Sequence, residues 1–331
     1  MLNKLLERQL RRYIKTADVS GPEFQNLFTA ISQAYDHNEE DRHLIERSLE
    51  LSSQELSDSN RALMDASRII ELKNKDMISS LEYARLVQNS LLAKESTIFD
   101  TFKNAFIFNR PRDIVGGDFF WIREEKEKIF LATADCTGHG VPGAFMSVIS
   151  FRLLNQAVRD YGISSTAQIL GFLNEEINST LSSRSSEADT KDALDISLVS
   201  IDRKKGMIEF SGVGHRILVC DGKDNVREFR GDRTHIGQNL SIAKNPISSQ
   251  EFNFSDGEVL YMYSDGYGDQ FGGEEQKKFG ASRLKKLLSE ISGLDFVQQR
   301  AQIESSFLEW KDLNMQIDDV LVLGIGLSTE N

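Results

Sequence analysis

From Glu39 to Ala93 the chain holds neither glycine nor proline, and Leu49, Leu56, Leu63, Ile70, Met77, Ala84 and Leu91 recur at heptad spacing. One apolar column at that period predicts a long helix that meets a second helix along a seam. The companion column is polar on either choice. It is Ser52, Ser59, Ala66, Lys73, Ser80 and Val87, or Ser53, Asn60, Ser67, Asn74, Leu81 and Gln88. A seam with one polar column is weakly stable and can change register. Pairing of two protomers is the favoured reading, with an ordinary antiparallel bundle helix as the alternative. Ahead of it, Leu2, Leu5, Leu6, Leu10 and Ile14 share a face of an amphipathic helix over 1–15, and its other faces are basic. Packing on a neighbouring helix is the favoured use of that face, and a membrane surface is the other. Ser20-Gly21-Pro22 ends it. A second helix is expected over Glu23–Tyr35, and both are expected to fold back on the long one.

Beyond residue 93 the period changes from helical to alternating. Strands are predicted at Ala105–Phe108, Phe119–Arg123, Lys128–Ala134, Ile196–Ile201, Met207–Val213, Arg216–Cys220, Val226–Phe229, Val259–Ser264 and Val320–Leu327. Helices are predicted at Pro142–Asp160, Ser165–Leu181, Ala281–Ile291 and Phe296–Trp310. Ser182–Lys191 reads as a polar, mobile loop, and Gly266–Gly280 as a flap, a docking loop or an ordinary solvated loop. Strands, a helix pair, strands and a second helix pair suggest an α+β fold with two antiparallel sheets between helix layers. The expected division is a helical region over 1–93 and a second domain over 94–331.

Acidic residues recur at the ends of these apolar runs. Asp118 precedes Phe119-Phe-Trp121, and Asp135 closes Ile129-Phe-Leu-Ala-Thr-Ala134. Asp265 follows Val259-Leu-Tyr-Met-Tyr-Ser264, and Asp318-Asp319 precedes Val320-Leu-Val-Leu323. Taken alone, each is a turn or cap residue as readily as a ligand. Four strand-edge carboxylates far apart in sequence, beside glycines that admit close approach, suit hard divalent cations with oxygen ligands.

The texts Gly116-Gly-Asp-Phe-Phe120, Ala134-Asp-Cys-Thr-Gly-His-Gly-Val-Pro-Gly-Ala144, Tyr263-Ser-Asp-Gly266 and Asp318-Asp-Val-Leu-Val-Leu323 occur in this order. Together they resemble the SpoIIE/RsbU branch of the PPM metal-dependent protein serine/threonine phosphatases, over roughly the last two-thirds of the chain. The resemblance implies an αββα sandwich and two Mn²⁺ or Mg²⁺ ions that activate a water for attack on phosphoserine or phosphothreonine. It implies Asp135 as the bridging ligand, the Cys136 backbone carbonyl as a further ligand, and Asp265 and Asp318 on the first ion. Asp118 would act through metal-bound water. Asp319 competes with Asp318 for the ligand role. Leu321 departs from the threonine often found there in the family. His139 either donates a proton to the leaving serine or, the favoured reading, shapes its turn. His215, in Gly212-Val-Gly-His215, resembles a family hairpin near the site. His37, His43 and His235 carry no functional reading, and Arg112, beside Asp113, is a phosphate-clamp candidate by position alone, with a surface charge as the favoured reading. The implied substrate is a phosphorylated STAS-domain anti-sigma-factor antagonist in a partner-switching pathway. Leu81–Leu92 is similar to the segment that enters the phosphatase domain in RsbU-like proteins. Leu44–Leu56 is similar to helices ahead of some bacterial sensor kinases, which implies a signalling or dimer module.

Charge and cysteine content narrow the alternatives. A net charge of -12 disfavours nucleic acid and anionic lipid as partners. Cys136 and Cys220 form no disulfide framework and no zinc spacing. No apolar run approaches the ~20 residues of a membrane helix, and no signal peptide is evident, so a cytoplasmic homodimer joined through the N-terminal helices is expected. Two other readings remain open on sequence alone: a non-catalytic scaffold of the same fold that sequesters a partner, and a phosphatase of a small phosphate ester. About a dozen residues separate the long helix from the strand that leads to Asp118, so movement of the helix is expected to reach the site through residues 81–118.

Overall fold

The computed structural model describes residues 2–13, 21–138, 140–182, 193–223, 225–237 and 247–329. The chain divides into two compact units, 1–77 and 78–331. In chain order the helices and strands are α1 (Lys4–Tyr13), α2 (Pro22–Leu91), α3 (Glu95–Thr101), β1 (Ala105–Arg110), β2 (Phe119–Glu125), β3 (Lys128–Cys136), α4 (Val141–Asn155), α5 (Thr166–Ser182), β4 (Leu194–Asp202), β5 (Met207–Val213), β6 (Arg216–Cys220) and β7 (Val226–Arg230). They continue as β8 (Gln250–Asn253), β9 (Val259–Tyr263), α6 (Gly266–Asp269), β10 (Phe271–Gly272), β11 (Lys277–Lys278), α7 (Ala281–Ile291), α8 (Phe296–Lys311) and β12 (Val320–Gly326).

In the first unit α1 folds back on the start of α2. The Asn3 N–H donates to Ser32 Oγ at 2.6 Å, its side-chain amide donates to Asp36 at 2.5 Å, and the Tyr35 hydroxyl donates to Gln9 at 3.1 Å. Leu6 and Ser32 are buried there. The heptad column, by contrast, lies open on the single chain. Leu49, Leu56, Leu63, Ile70 and Met77 are each about 60% exposed.

The second unit is an αββα sandwich. One sheet runs β1-β12-β9-β6-β7 and the other β2-β3-β4-β5-β8, all antiparallel. Because successive side chains on a strand point to opposite faces, each central strand serves two cores. On β12, Leu321, Leu323 and Ile325 enter the layer between the sheets, while Val320 and Val322 face the layer holding α7 and α8. On β3, Ile129 and Leu131 point between the sheets, while Phe130, Ala132 and Ala134 face α4 and α5. This double burial explains why these strands read as continuous apolar runs rather than clean alternations.

Several elements depart from the sequence expectation. The helix over Glu23–Tyr35 and the long helix are one: α2 runs unbroken for 70 residues. Pro22 begins it, where the missing N–H costs nothing, and no breaker follows. Only α1 therefore folds back. Pro142–Asp160 is α-helical to Asn155 and then takes a π turn over Gln156–Asp160. The short α3, β8, α6 and the β10–β11 hairpin went unread, because each is too short to show a period. Gly266–Gly280 holds α6 and that hairpin and is not a plain loop. Of the loop expected over Ser182–Lys191, residues 183–191 lie outside the described residues.

Candidate active site

Strand parity carries the carboxylates to one place. Asp135 has the parity of Leu131 on β3, and Asp118 that of Phe120 at the start of β2, so both lie on the face between the sheets. From the opposite sheet, Asp265 follows β9 and Asp318 precedes β12, the neighbouring strand. Gly266 fits there only because it has no side chain: a Cβ would stand 1.9 Å from the Asp319 carbonyl oxygen and 3.3 Å from Asp318 Cβ. The two sheets thus present Asp118 and Asp135 from one side, and Asp265 and Asp318 from the other.

These groups act on one another across an edge where Asp118 is buried, Asp135 and Asp318 are half-buried and Asp265 is exposed. Burial, then the charges of Asp319, Asp318 and Asp265, hold the Asp118 carboxyl well above the usual carboxylate range, although the Ser264 hydroxyl donates to it. Asp118 is 8% exposed, and its Oδ2 has no hydrogen-bond partner. Burial, then Asp118, Asp265, Asp318 and Asp195, raise Asp135. Burial, then Asp269 and Asp318, lift Asp265 to about 6, against a hydrogen bond with Asp135 that lowers it. The charged groups that weigh most on all three are carboxylates. An orphaned buried oxygen amid crowded like charges fits divalent cations. Among the described residues, no three His, Cys, Asp or Glu side chains stand grouped so that they could hold a metal ion as they are placed.

Asp319 is engaged differently. Its Oδ1 accepts the Arg112 N–H at 2.7 Å and its Oδ2 the Gly117 N–H at 2.6 Å, so it ties the loop before Asp118 to the start of β12. The Arg112 guanidinium donates to the Ile317 carbonyl at 2.9 Å and braces the same loop. Gly117 lets the loop pass close to Cys136: a Cβ there would stand 2.8 Å from the Cys136 carbonyl oxygen. The Cys136 thiol faces the α4–α5 core, and burial pushes it far above the ordinary thiol range.

The end of α2 reaches this loop. Gln88 is buried, and its amide donates to the Gly116 carbonyl at 2.7 Å and to Ser147 Oγ of α4 at 2.9 Å. No sequence signal marked Gln88 beyond its place in a polar column. His215 is buried beneath Thr133 of β3. Burial, then Arg216, depress it to about 4, so it stays neutral. His139 lies outside the described residues.

One pair was missed altogether. Asp195 of β4 is the register partner of Asp135 and shares its face. The His235 ring nitrogen Nδ1 lies 2.5 Å from Asp195 Oδ1. The two residues are 40 apart in sequence and belong to no motif, so only the fold could join them.

With this geometry in hand, similarity places the chain. Residues 125–327 match the model of the family described as stage II sporulation protein E (SpoIIE). The chain belongs to the SpoIIE family. The SiaA-PP2C domain of Pseudomonas aeruginosa is similar in structure, with TM-score 0.70 and 29% identity over 77% of this chain and 98% of that one. The PP2C phosphatase domain of SpoIIE from Bacillus subtilis, with a fragment of its regulatory domain, superposes at TM-score 0.54 and 18% identity over 68% and 63% of the two chains. The RsbU and RsbW domains of Rv1364c from Mycobacterium tuberculosis superpose at 0.52 and 17%, over 69% and 61%. Among curated proteins none matches the chain. The SpoIIE-family domain is a protein serine/threonine phosphatase of PP2C type, and its αββα fold is the one the carboxylate motifs imply. No described helix is long and apolar enough to cross a membrane.

The raised Asp265 carboxyl has a thermodynamic consequence. Its folded value, about 6, lies above the ordinary 3.8, so its contribution to stability is present at low pH and lost as pH rises through about 6. In chelator, Asp265→Asn should therefore melt above the wild type at pH 7.5 and coincide with it near pH 4. Asp265 is exposed, so solvent screens this interaction and keeps the gain small. A variant that melts below the wild type at pH 7.5 in chelator would contradict the crowding of like charge.

Proposed function

We propose that this phosphatase hydrolyses phosphoserine or phosphothreonine on a STAS-domain anti-sigma-factor antagonist in a partner-switching pathway, with two Mn²⁺ or Mg²⁺ ions held by Asp118, Asp135, Asp265 and Asp318. The reading is supported by the mutual electrostatic influence of these carboxylates, carried on two sheets, and by an oxygen of Asp118 that has no partner. Asp135, on which the other three act, would be the ligand shared by the ions. Asp265, Asp318 and the Cys136 carbonyl would hold the first ion with it, and Asp118, the most buried, would act through bound water. Asp319 remains a loop tie, since both its oxygens already accept backbone N–H groups. Bound there, the two ions would acidify a water and neutralise charge on the phosphoryl oxygens. The protein's own work is to hold four acids rigidly, with Gly117 and Gly266 letting the segments close. The STAS substrate rests on the likeness of the motifs to the RsbU branch.

We also propose the N-terminal helical region, 1–93, as the regulatory and dimerisation region of the phosphatase domain, 94–331. A heptad column left about 60% exposed on one chain suits a second copy of the same helix. The hydrogen bonds of Gln88 to Gly116 and Ser147 supply a route from the end of α2 to the loop before Asp118. Two helix registers separated by a few kcal/mol would suffice to set activity.

Asp135→Ala should abolish release of phosphate from phosphorylated STAS proteins of the same genome, followed by intact mass. Asp265→Ala and Asp318→Ala should come close to that, and Asp118→Ala should be milder. Wild-type rates for any of the first three at saturating Mn²⁺ would refute the ligand assignment. Light scattering should give a dimer for the full chain and a monomer for residues 78–331. A monomeric full chain at micromolar concentration would refute pairing through α2.

A further inference from the structure

We propose that His235 donates the proton taken up by the departing seryl or threonyl oxygen, with Asp195 as its positioning residue. This rests on the phosphatase reading of the site and adds to it two residues that no motif marks. Asp195 and Asp135 are register partners on adjacent strands and share the face between the sheets, so the pair stands one strand away from the central acid. The fold makes room for it. Gly214, at φ +71°, turns the chain from β5 into β6, and a Cβ there would lie 2.2 Å from the Asp195 carboxyl carbon. Any other residue would push that carboxylate aside.

The ring is held as well as paired. Leu194 and Ile236 exchange backbone hydrogen bonds of 2.9 and 3.1 Å, which anchor the residue after His235 to the start of β4. The Asp195 carboxylate on Nδ1 holds that N–H and the ring plane, and the donor form is the imidazolium, whose second proton sits on Nε2. The His235 side chain is 46% exposed and that of Asp195 24%, so the ring is open to a phosphoprotein arriving from solvent. His215, the other histidine of these hairpins, is buried and neutral and cannot take this role.

In the step, the water oxygen forms a bond to phosphorus and the bond from phosphorus to the seryl oxygen breaks. The electron pair goes to that oxygen, which takes the Nε2 proton and leaves as the alcohol. One proton of the water stays on the phosphate, and the other passes to solvent, which reprotonates His235. An alkoxide is a poor leaving group, so the proton matters most for basic leaving groups and little for nitrophenolate.

The test uses the full chain with Mn²⁺ and two esters, p-nitrophenyl phosphate and the less reactive phenyl phosphate. His235→Gln and Asp195→Asn should each lose about tenfold or more on phenyl phosphate, a share of the ~10²–10⁴ that a positioned acid contributes, and far less on p-nitrophenyl phosphate. Mn²⁺ affinity by calorimetry should stay at the wild-type value in both, and the imidazole Nδ1 proton seen by NMR should shift upfield in Asp195→Asn. Equal losses on the two esters, no loss on either, or weakened Mn²⁺ binding in Asp195→Asn would overturn the proposal. A wild type that releases phosphate from neither ester nor a phosphorylated STAS protein would overturn the phosphatase reading and the proposal with it, whereas an absent split with wild-type turnover intact overturns the proposal alone.

Discussion

Like charge gathered at one end of the gap between two sheets is the constraint on which the rest of this fold depends. Asp118 and Asp135 come from one sheet, Asp265 and Asp318 from the other, and the charges of Asp265 and Asp318 raise the proton affinity of both Asp118 and Asp135. Two unit charges ~4 Å apart repel by ~4 kcal/mol at an effective dielectric of ~20, well above the ~0–1 kcal/mol that an exposed ion pair returns. Packing must therefore hold these groups against their own field. It does so through fully buried strands such as β12, whose residues serve two cores at once, and through Asp319, whose charge is bound into the backbone of the loop before Asp118.

That loop is also where α2 arrives. Gln88 holds the Gly116 carbonyl on one side and Asp319 the Gly117 N–H on the other, so the segment leading to Asp118 is fixed from a helix and from a strand edge. A small movement at Gln88 shifts the backbone one residue from a hydrogen bond of Asp319. The proposed regulation through α2 would therefore need no separate linker.

Much of this was legible in the sequence because the strongest signals are local. Apolar runs that begin after Asp118 and Asp318 or end before Asp135 and Asp265 gave the strands and their acidic edges, and parity along each strand then decides the face. The resemblance favoured Asp318 and left Asp319 open, since adjacent acids look alike in sequence, and only the fold shows Asp319 accepting two backbone N–H groups. Gln88 read as an ordinary polar helix residue because its partners, Gly116 and Ser147, lie far along the chain. Asp195 and His235 were invisible for the same reason: their contact depends on strand register and on the space left at Gly214. The continuity of α2 was underestimated where Asp36-His-Asn38 interrupts the apolar pattern without interrupting the backbone.

The central claim is that four carboxylates, and not Asp319, form a cation site. Anomalous diffraction at the manganese edge, from crystals grown with Mn²⁺, measures this most directly. Two manganese peaks are expected among Asp118, Asp135, Asp265 and Asp318, with Asp319 still bonded to the Arg112 and Gly117 amides. No peak among those four, or a manganese held by Asp319 in place of its backbone partners, would contradict it.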